Sequence, residues 1–128
     1  MPTIDRLPIV VLLCLAALAS AAAGPLDRSS FAIQLTGEGK GQGSDVLAFV
    51  GGEGDCATSG KKYAYAKGAY KAEKQGKAWN FRFTMSSAEH GDLAFEGKIT
   101  ADGVTGTRTW SKPGKPPIVH TFIGTPAK

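Results

Sequence analysis

The chain has 128 residues, a formal net charge of +4 and two cysteines. Without the N-terminal targeting segment described next, about 105 residues remain, which is the size of one small domain and excludes two independent hydrophobic cores. That domain contains Cys56 as its single cysteine, so it cannot hold an internal disulfide. Cys56 is expected to be a buried small hydrophobe, a free thiol or an intermolecular bridge.

Residues 1–23 are predicted to be a secretory signal peptide. An apolar run over residues 7–19 follows an arginine and ends in small residues, which allow cleavage after Ala21 or Ala23. A membrane helix needs about 20 apolar residues, so we expect no stable membrane span after cleavage. The mature domain, residues 24–128, is therefore expected in the periplasm or in the secreted fraction.

Alternating apolar and polar residues, the signature of half-buried β-strands, recur along the mature chain. The clearest stretch is a three-stranded meander over Ala78–Ser111, in which Asp102-Gly103 predicts a tight hairpin turn with positive φ. Asp45–Val50 is apolar on both faces, which predicts burial from both sides or a strand partly covered by another element. The predicted strands cover residues 31–36, 45–50, 63–73, 78–85, 93–100, 104–111 and 118–124. The third is irregular, because its alanines and lysines also favour a helix.

Segments rich in glycine or proline separate these strands. The alternating glycines of Gly37–Gly43 lack the G-x-G-x-x-G spacing of a dinucleotide site and are predicted to form a hairpin loop. Residues 51–62 do not match the Walker phosphate-binding motif. The spacing between the two glycines is one residue too long, and a lysine replaces the Ser or Thr that should follow the motif's lysine. Residues 112–117 are predicted to be a stiff basic loop, because prolines cannot donate hydrogen bonds to a sheet.

About seven short strands joined by such turns predict an all-β fold. We expect a small antiparallel up-and-down β-barrel of about seven or eight strands, calycin-like, with a β-sandwich as the alternative. An interior of this size is filled by side chains or holds one small ligand. Arg108 shares a face with Val104 and Trp110. If that face is interior, the guanidinium must meet a carboxylate, carbonyls or an aromatic ring, whereas at the barrel mouth it reaches water.

Two sets of residues are predicted to contact partners. The segment Lys61–Arg82 carries seven basic residues against Glu73 alone, which favours an acidic partner. Its interleaved tyrosines also occur in sites for single-stranded nucleic acid, but export argues against a nucleic-acid partner. The residues predicted to bind an anionic surface are Lys67, Lys71 and Lys74. The residues predicted to bind a small ligand are Arg108, Trp110, Tyr63 and Trp79.

No catalytic residue, metal site or cofactor is expected. Glu89–Asp92 places three potential metal ligands close together, but no metal-binding spacing accompanies them. His120 alternates in phase with apolar neighbours, which predicts a hydrogen-bonded core histidine. The alternative function is a thiol- or metal-dependent enzyme or redox protein that uses Cys56 with His90 or His120.

The strand patterns of the mature chain resemble a family of small exported bacterial proteins with no assigned function. The residues that carry the resemblance are Asp45-x-Leu47-x-Phe49, Cys56, Tyr63, Tyr70-x-Ala72, Trp79-x-Phe81, Gly91-x-Leu93-x-Phe95-x-Gly97, Gly106-x-x-x-Trp110 and Phe122-x-Gly124. The resemblance implies a single exported β domain and supplies no catalytic residues. The sequence therefore predicts a non-enzymatic exported binding or accessory domain, whose partner is a small apolar ligand or an anionic envelope component. The oligomeric state is not predicted.

Overall fold

A computed structural model describes residues 23–38 and 42–127 of the chain. These residues form nine strands and one short helix, and the strands make a single antiparallel sheet that curls into a nearly closed barrel. The predicted all-β barrel is thus confirmed. The predicted signal peptide, apart from Ala23, lies outside the described residues, as do Gly39 and Gly41 of the glycine run. Within the described residues, no helix is both long enough and apolar enough to cross a membrane.

The strands are β1 (Ser30–Gly37), β2 (Gly43–Val50), β3 (Glu53–Cys56), β4 (Gly68–Ala69), β5 (Lys71–Gln75), β6 (Ala78–Ser87), β7 (Gly91–Thr100), β8 (Gly103–Lys112) and β9 (Lys115–Pro126). The helix α1 spans Ala57–Tyr63. Neighbours in the sheet follow the order β4-β3-β2-β1-β9-β8-β7-β6-β5. Chain neighbours therefore pair as in a meander, apart from β4 and β5, which are the two edges of the sheet, and the first strand pairs with the last.

The barrel closes where the two edges of the sheet meet. The amide of Ala66 donates to the carbonyl of Ser86 over 2.9 Å, which joins the chain before β4 to the end of β6. A Cβ atom at Gly68 would collide with the carbonyl oxygen of Thr84. Because glycine has no Cβ, β4 can lie directly against β6, and the sheet almost completes a cylinder.

Several boundaries differ from those that the sequence predicts. The segment predicted as a stiff loop is mostly strand, because β9 begins at Lys115 and includes Pro116 and Pro117. These prolines precede the part of β9 that pairs with β1, so no amide is needed there for that ladder. Of the two predictions for β2, burial on both faces is wrong, since Val46 is 39% and Val50 60% exposed. The strand is partly covered by α1, which contacts it.

The β7–β8 turn and the segment after α1 also differ from the prediction. Ala101 and Asp102, rather than Asp102 and Gly103, form the β7–β8 turn, and Gly103 opens β8 with a φ of 150°. The segment predicted to be an irregular third strand, residues 63–73, instead contains the last residue of α1, the strand β4 and the first part of β5. The nine strands described exceed the predicted seven or eight because β3 and β4 are only four and two residues long.

Aromatic rings fill one part of the barrel interior around Phe49, which is fully buried. Its ring meets those of Tyr70, Phe81 and Phe83 edge to face, with centroids 5.0, 5.1 and 5.8 Å away. Phe83 in turn stacks on Phe95 at 4.6 Å. Such pairs add to the stabilisation from burial alone, so this cluster ties β2 to β6, to β7 and to Tyr70, which lies between β4 and β5.

Two facing glycines leave room for aromatic rings in the neighbouring part of the barrel interior. Gly97 on β7 lies opposite Gly106 on β8. A Cβ at Gly106 would lie 2.6 Å from Cζ of Phe122, and one at Gly97 would lie 2.7 Å from Cζ of Phe81. The missing side chains therefore give these two rings room to lie across the inner face of the sheet.

A short turn covers the end of the barrel near Phe49. Leu26, only 3% exposed, joins the core, and its amide donates to the hydroxyl of Tyr70 over 2.8 Å. That hydroxyl donates to Oδ1 of Asp27, which also accepts from the amide of Gly52. The backbone amides of Gly52 and Gly24 both donate to the Asp27 carboxylate and lower its pKa, so this carboxylate stays ionised and holds the turn in place.

Replacing Phe49 by alanine tests the role of the aromatic cluster. We expect Phe49→Ala to lower the free energy of unfolding by about 3–5 kcal/mol, because it removes a ring from the packed interior. Val50→Thr is the matched control on the next, exposed position and should change the stability by less than about 0.5 kcal/mol. Denaturant unfolding measures both, and equal effects would contradict the assignment of the core.

Candidate ligand-binding cavity

A cavity of about 330 Å³ lies at the opposite end of the barrel interior from Leu26. Three sets of side chains surround it, and each set is named here by its position. The floor consists of Arg108, His120 and Ser59; the walls of Tyr65, Leu93 and Ile118; the rim of Tyr63, His90, Trp110 and Lys112. The cavity is thus mainly aromatic and aliphatic, with polar groups gathered at its base and at its opening.

The strand register brings these residues together from distant parts of the chain. On β8, Trp110 lies between Leu93 of β7 and Ile118 of β9. Two residues earlier on β8, Arg108 lies opposite His120 of β9. Because side chains two residues apart point to the same face of a strand, both rows face the interior. The α1 helix adds Ser59 and Tyr63 from the side.

Arg108 is only 5% exposed and His120 only 1%. The Nη2 atom of Arg108 donates to Nδ1 of His120 over 3.2 Å, and Nε2 of His120 donates to the backbone oxygen of Glu38 over 2.9 Å. A carbonyl can only accept, so the proton of the neutral ring must be on Nε2, which leaves Nδ1 to accept from the guanidinium. The predicted core histidine is confirmed, and the chain of hydrogen bonds holds Arg108 in one orientation.

Burial and the positive charge of Arg108 lower the pKa of His120 below its ordinary value of 6.5. The ring is therefore neutral at physiological pH, and the floor carries the single positive charge of Arg108. The hydrogen bond to Glu38 opposes this shift but does not reverse it.

The free energy of unfolding is expected to decrease as the pH is lowered, because of His120. A histidine whose pKa is lowered by folding binds its proton more readily in the unfolded chain, so stability is lost as the pH drops below 6.5 toward the lower folded pKa. Between about pH 7 and about pH 5, His120→Gln should reduce the fall in melting temperature. His90→Gln, which alters a side chain that is 39% exposed, is the control and should leave the fall unchanged. The same pH profile in both variants would contradict this assignment.

The rim is held in place by hydrogen bonds to the β6–β7 turn. The backbone oxygen of His90 accepts from Nε1 of Trp110 over 2.6 Å and from the hydroxyl of Tyr65 over 3.2 Å. Nζ of Lys112 donates to the backbone oxygen of Glu89 over 2.7 Å. Large aromatic side chains are thus positioned before any ligand arrives, which lowers the entropy cost of binding.

A buried polar group lies next to the floor. The Asp45 carboxylate accepts from the amide of Thr58 over 2.8 Å and so caps the first turn of α1 from β2. Burial, the charge of Asp45 and a hydrogen bond to that carboxylate raise the pKa of the fully buried Cys56 thiol far above its ordinary range. Cys56 is thus the buried small hydrophobe among the predicted alternatives, with its thiol protonated.

Cys56 is expected to resist thiol reagents in the native protein, because only the exposed thiolate reacts quickly. Mass spectrometry of the peptide that contains Cys56 should show labelling by iodoacetamide only after denaturation. Rapid labelling under native conditions would contradict the buried position and would revive a role for this thiol.

The cavity contains three of the four residues predicted to bind a small ligand: Arg108, Trp110 and Tyr63. Trp79 lies elsewhere. It is six residues before Met85 on β6, a distance of about 20 Å along the strand, and Met85 is the residue that pairs with Leu93 of the cavity wall. The alternation of inward-facing residues could not show that Trp79 and the cavity residues lie at different levels along the barrel axis.

The three lysines predicted to form an anionic surface are all exposed but do not share one face. Lys71 and Lys74 are three residues apart on β5, so their side chains leave opposite faces of the strand. Lys71 lies opposite Arg82 of β6, whereas Nζ of Lys74 lies 6.0 Å from the ring centroid of Trp79. The positive charge is thus spread around one edge of the barrel.

Sequence analysis missed part of the cavity. Ser59 belongs to a helix that was not predicted, while Tyr65, Leu93, Ile118 and Lys112 were not singled out. Alternation does indicate that Leu93 and Ile118 face inward. His90 and His120 both line the cavity, yet the described residues contain no cluster of three His, Cys, Asp or Glu side chains that could hold a metal ion.

No family model, curated protein or solved structure matches this chain. The resemblance to small exported bacterial proteins stays a prediction. The function is therefore argued from the geometry of the cavity.

Proposed function

We propose that this protein is a non-enzymatic, exported binding protein that holds one small, mainly apolar molecule inside its barrel. The observation that carries the proposal is the cavity itself, since the interior around Phe49 is packed with rings while the end near Trp110 holds an open cavity of about 330 Å³. This volume is within the range of natural small-molecule sites, roughly 300–1,000 Å³. Apolar walls with a few fixed polar groups are also typical of such sites.

The walls and rim favour binding over catalysis. Tyr65, Leu93 and Ile118 offer apolar surface, and the hydrogen bonds of Trp110 and Tyr65 to His90 fix the opening. A preformed apolar cavity gains free energy when a ligand displaces its water, at about 25 cal/mol per Å² of apolar surface buried. The arrangement therefore suits retention or transport of a ligand.

An anionic envelope component is the weaker alternative ligand. It would have to bind Lys67, Lys71 and Lys74, but the last two leave opposite faces of β5. Arg82, opposite Lys71, is also paired across the sheet with Glu96, which reduces the local positive charge. These lysines are better placed to raise solubility or to attract acidic ligands over a distance.

A thiol-dependent enzyme is also weakly supported. Its nucleophile would be Cys56, which is fully buried, and whose raised pKa keeps the thiol protonated. The basic partner would be His90, at the rim of the cavity, or His120, whose ring nitrogens are both engaged, one with Arg108 and one with Glu38. With either histidine, the buried and protonated Cys56 is not poised to attack a substrate.

Filling the cavity tests the proposal. Ile118→Trp adds volume to the cavity wall and is expected to weaken binding of the neutral fluorescent probe N-phenylnaphthylamine by at least about tenfold, since the space for the probe is removed. Val119→Trp is the matched control, because Val119 is 53% exposed and points outward on the same strand. Probe fluorescence in a titration measures both variants against the wild type.

The proposal is contradicted by either of two results. One is that the wild-type protein does not bind the probe. The other is that Ile118→Trp, shown to be folded by circular dichroism, binds the probe as well as Val119→Trp does.

A further inference from the structure

Aromatic rings are concentrated at the rim of the cavity and on the wall next to it. They belong to the end of α1 and the residues after it, to the β6–β7 turn and to β8: Tyr63, Tyr65, His90 and Trp110. Among the described residues, the aliphatic part of the lining consists of Leu93 and Ile118. An alkyl ligand needs apolar surface but no rings, so the arrangement of these rings indicates the class of ligand.

Two of the rings form a corner. The plane of the Tyr63 ring makes an angle of 84° with that of His90, and their centroids are 5.6 Å apart. The Tyr65 ring is tilted by 37° from His90 at 6.1 Å. Aromatic pairs favour offset stacking or edge-to-face contact, with centroids about 4.5–7 Å apart. A flat aromatic ring in this corner can stack on one side chain while its edge meets the other, whereas a saturated ring gains only from burial.

The rings are held by the β6–β7 turn before a ligand binds. The backbone oxygen of His90 accepts from Nε1 of Trp110 and from the hydroxyl of Tyr65. Oγ of Ser87, at the end of β6, donates to the backbone oxygen of Tyr63 over 3.4 Å. A rigid flat ligand meets a preset arrangement at low entropy cost, while a flexible alkyl chain must itself be ordered on binding. The fixed rings therefore favour an aromatic ligand over an alkyl chain.

The charges at the cavity favour a neutral ligand. Cationic and anionic side chains both lie at or beside it: Arg108 and Lys112, and Asp45, Glu89 and Asp92. Burial raises the pKa of the Tyr65 hydroxyl, and the charges of Arg108 and Asp92 act on this group in opposite directions. An ionic ligand of either sign would thus meet a like charge as well as an opposite one, and it would also lose its hydration.

Resting on the function proposed above, we infer that the ligand is a neutral aromatic molecule whose ring binds among Tyr63, His90 and Trp110. Leu93 and Ile118 flank Trp110 on the neighbouring strands and cover the aliphatic part of such a molecule. The site thus selects flatness and aromatic character rather than chain length or charge.

Competition between two matched alcohols tests the inference. 4-Phenylbutanol and 4-cyclohexylbutanol differ only in the saturation of the ring, and each is titrated against the protein loaded with N-phenylnaphthylamine. Saturation enlarges the apolar surface, so burial alone favours the cyclohexyl alcohol. We expect the reverse order, with 4-phenylbutanol displacing the probe at a concentration about threefold or more below that of 4-cyclohexylbutanol, because aromatic pairs add to burial.

Two variants assign the preference to the rings. Trp110→Leu and Tyr63→Leu each keep an apolar side chain but remove one ring, and each is expected to decrease the preference for the phenyl alcohol. The ratio of displacing concentrations is measured within each variant, so a change in probe affinity cancels. Trp79→Leu is the matched control, because it removes a ring outside the cavity and should leave the preference intact. If Trp110→Leu does not fold, Tyr63→Leu decides, since Tyr63 is 42% exposed.

The outcomes separate this inference from the proposed function. Failure of the wild type to bind N-phenylnaphthylamine overturns the binding function. Probe binding with equal or better displacement by the cyclohexyl alcohol, or with displacement by neither alcohol, overturns the aromatic ligand alone. A preference that survives intact in the folded variants of Trp110 and Tyr63 overturns the assignment of these rings as the ligand contacts.

Discussion

The structure depends on one constraint, which is that alternation along β8 places the guanidinium of Arg108 inside the barrel. A charge in that position is tolerated only where polar atoms meet it. The neighbouring strand supplies His120 directly opposite, and the backbone of Glu38 fixes the tautomer that lets this ring accept from Arg108. Burial and this contact lower the pKa of His120 and keep its ring neutral, so this part of the interior contains polar side chains.

The interior is consequently divided into two parts with different properties. Toward Phe49, rings pack edge to face, and the turn at Leu26 covers the barrel end. Toward Trp110, the floor, walls and rim enclose space instead. The paired glycines Gly97 and Gly106 allow the rings of Phe81 and Phe122 to cross the barrel between these parts. The packed part can therefore provide stability while the open part remains available for a ligand.

The sequence predicts those features that depend on local alternation and misses those that depend on tertiary contacts. The inward face of Arg108 and Trp110 follows from the period of two residues, and so does the buried position of His120. The α1 helix could not be predicted, because its first turn is capped by Asp45, which lies on another strand. Trp79 and Trp110 have the same inward alternation, and only the register of β6 to β9 shows that they lie at different heights.

The most direct test of this account is a crystal structure of the protein with N-phenylnaphthylamine bound. The account predicts the probe between Leu93 and Ile118, with its rings near Trp110 and with little change in the rim. A probe bound on the outer face of the barrel near Lys71, with the space beside Trp110 empty, would contradict it.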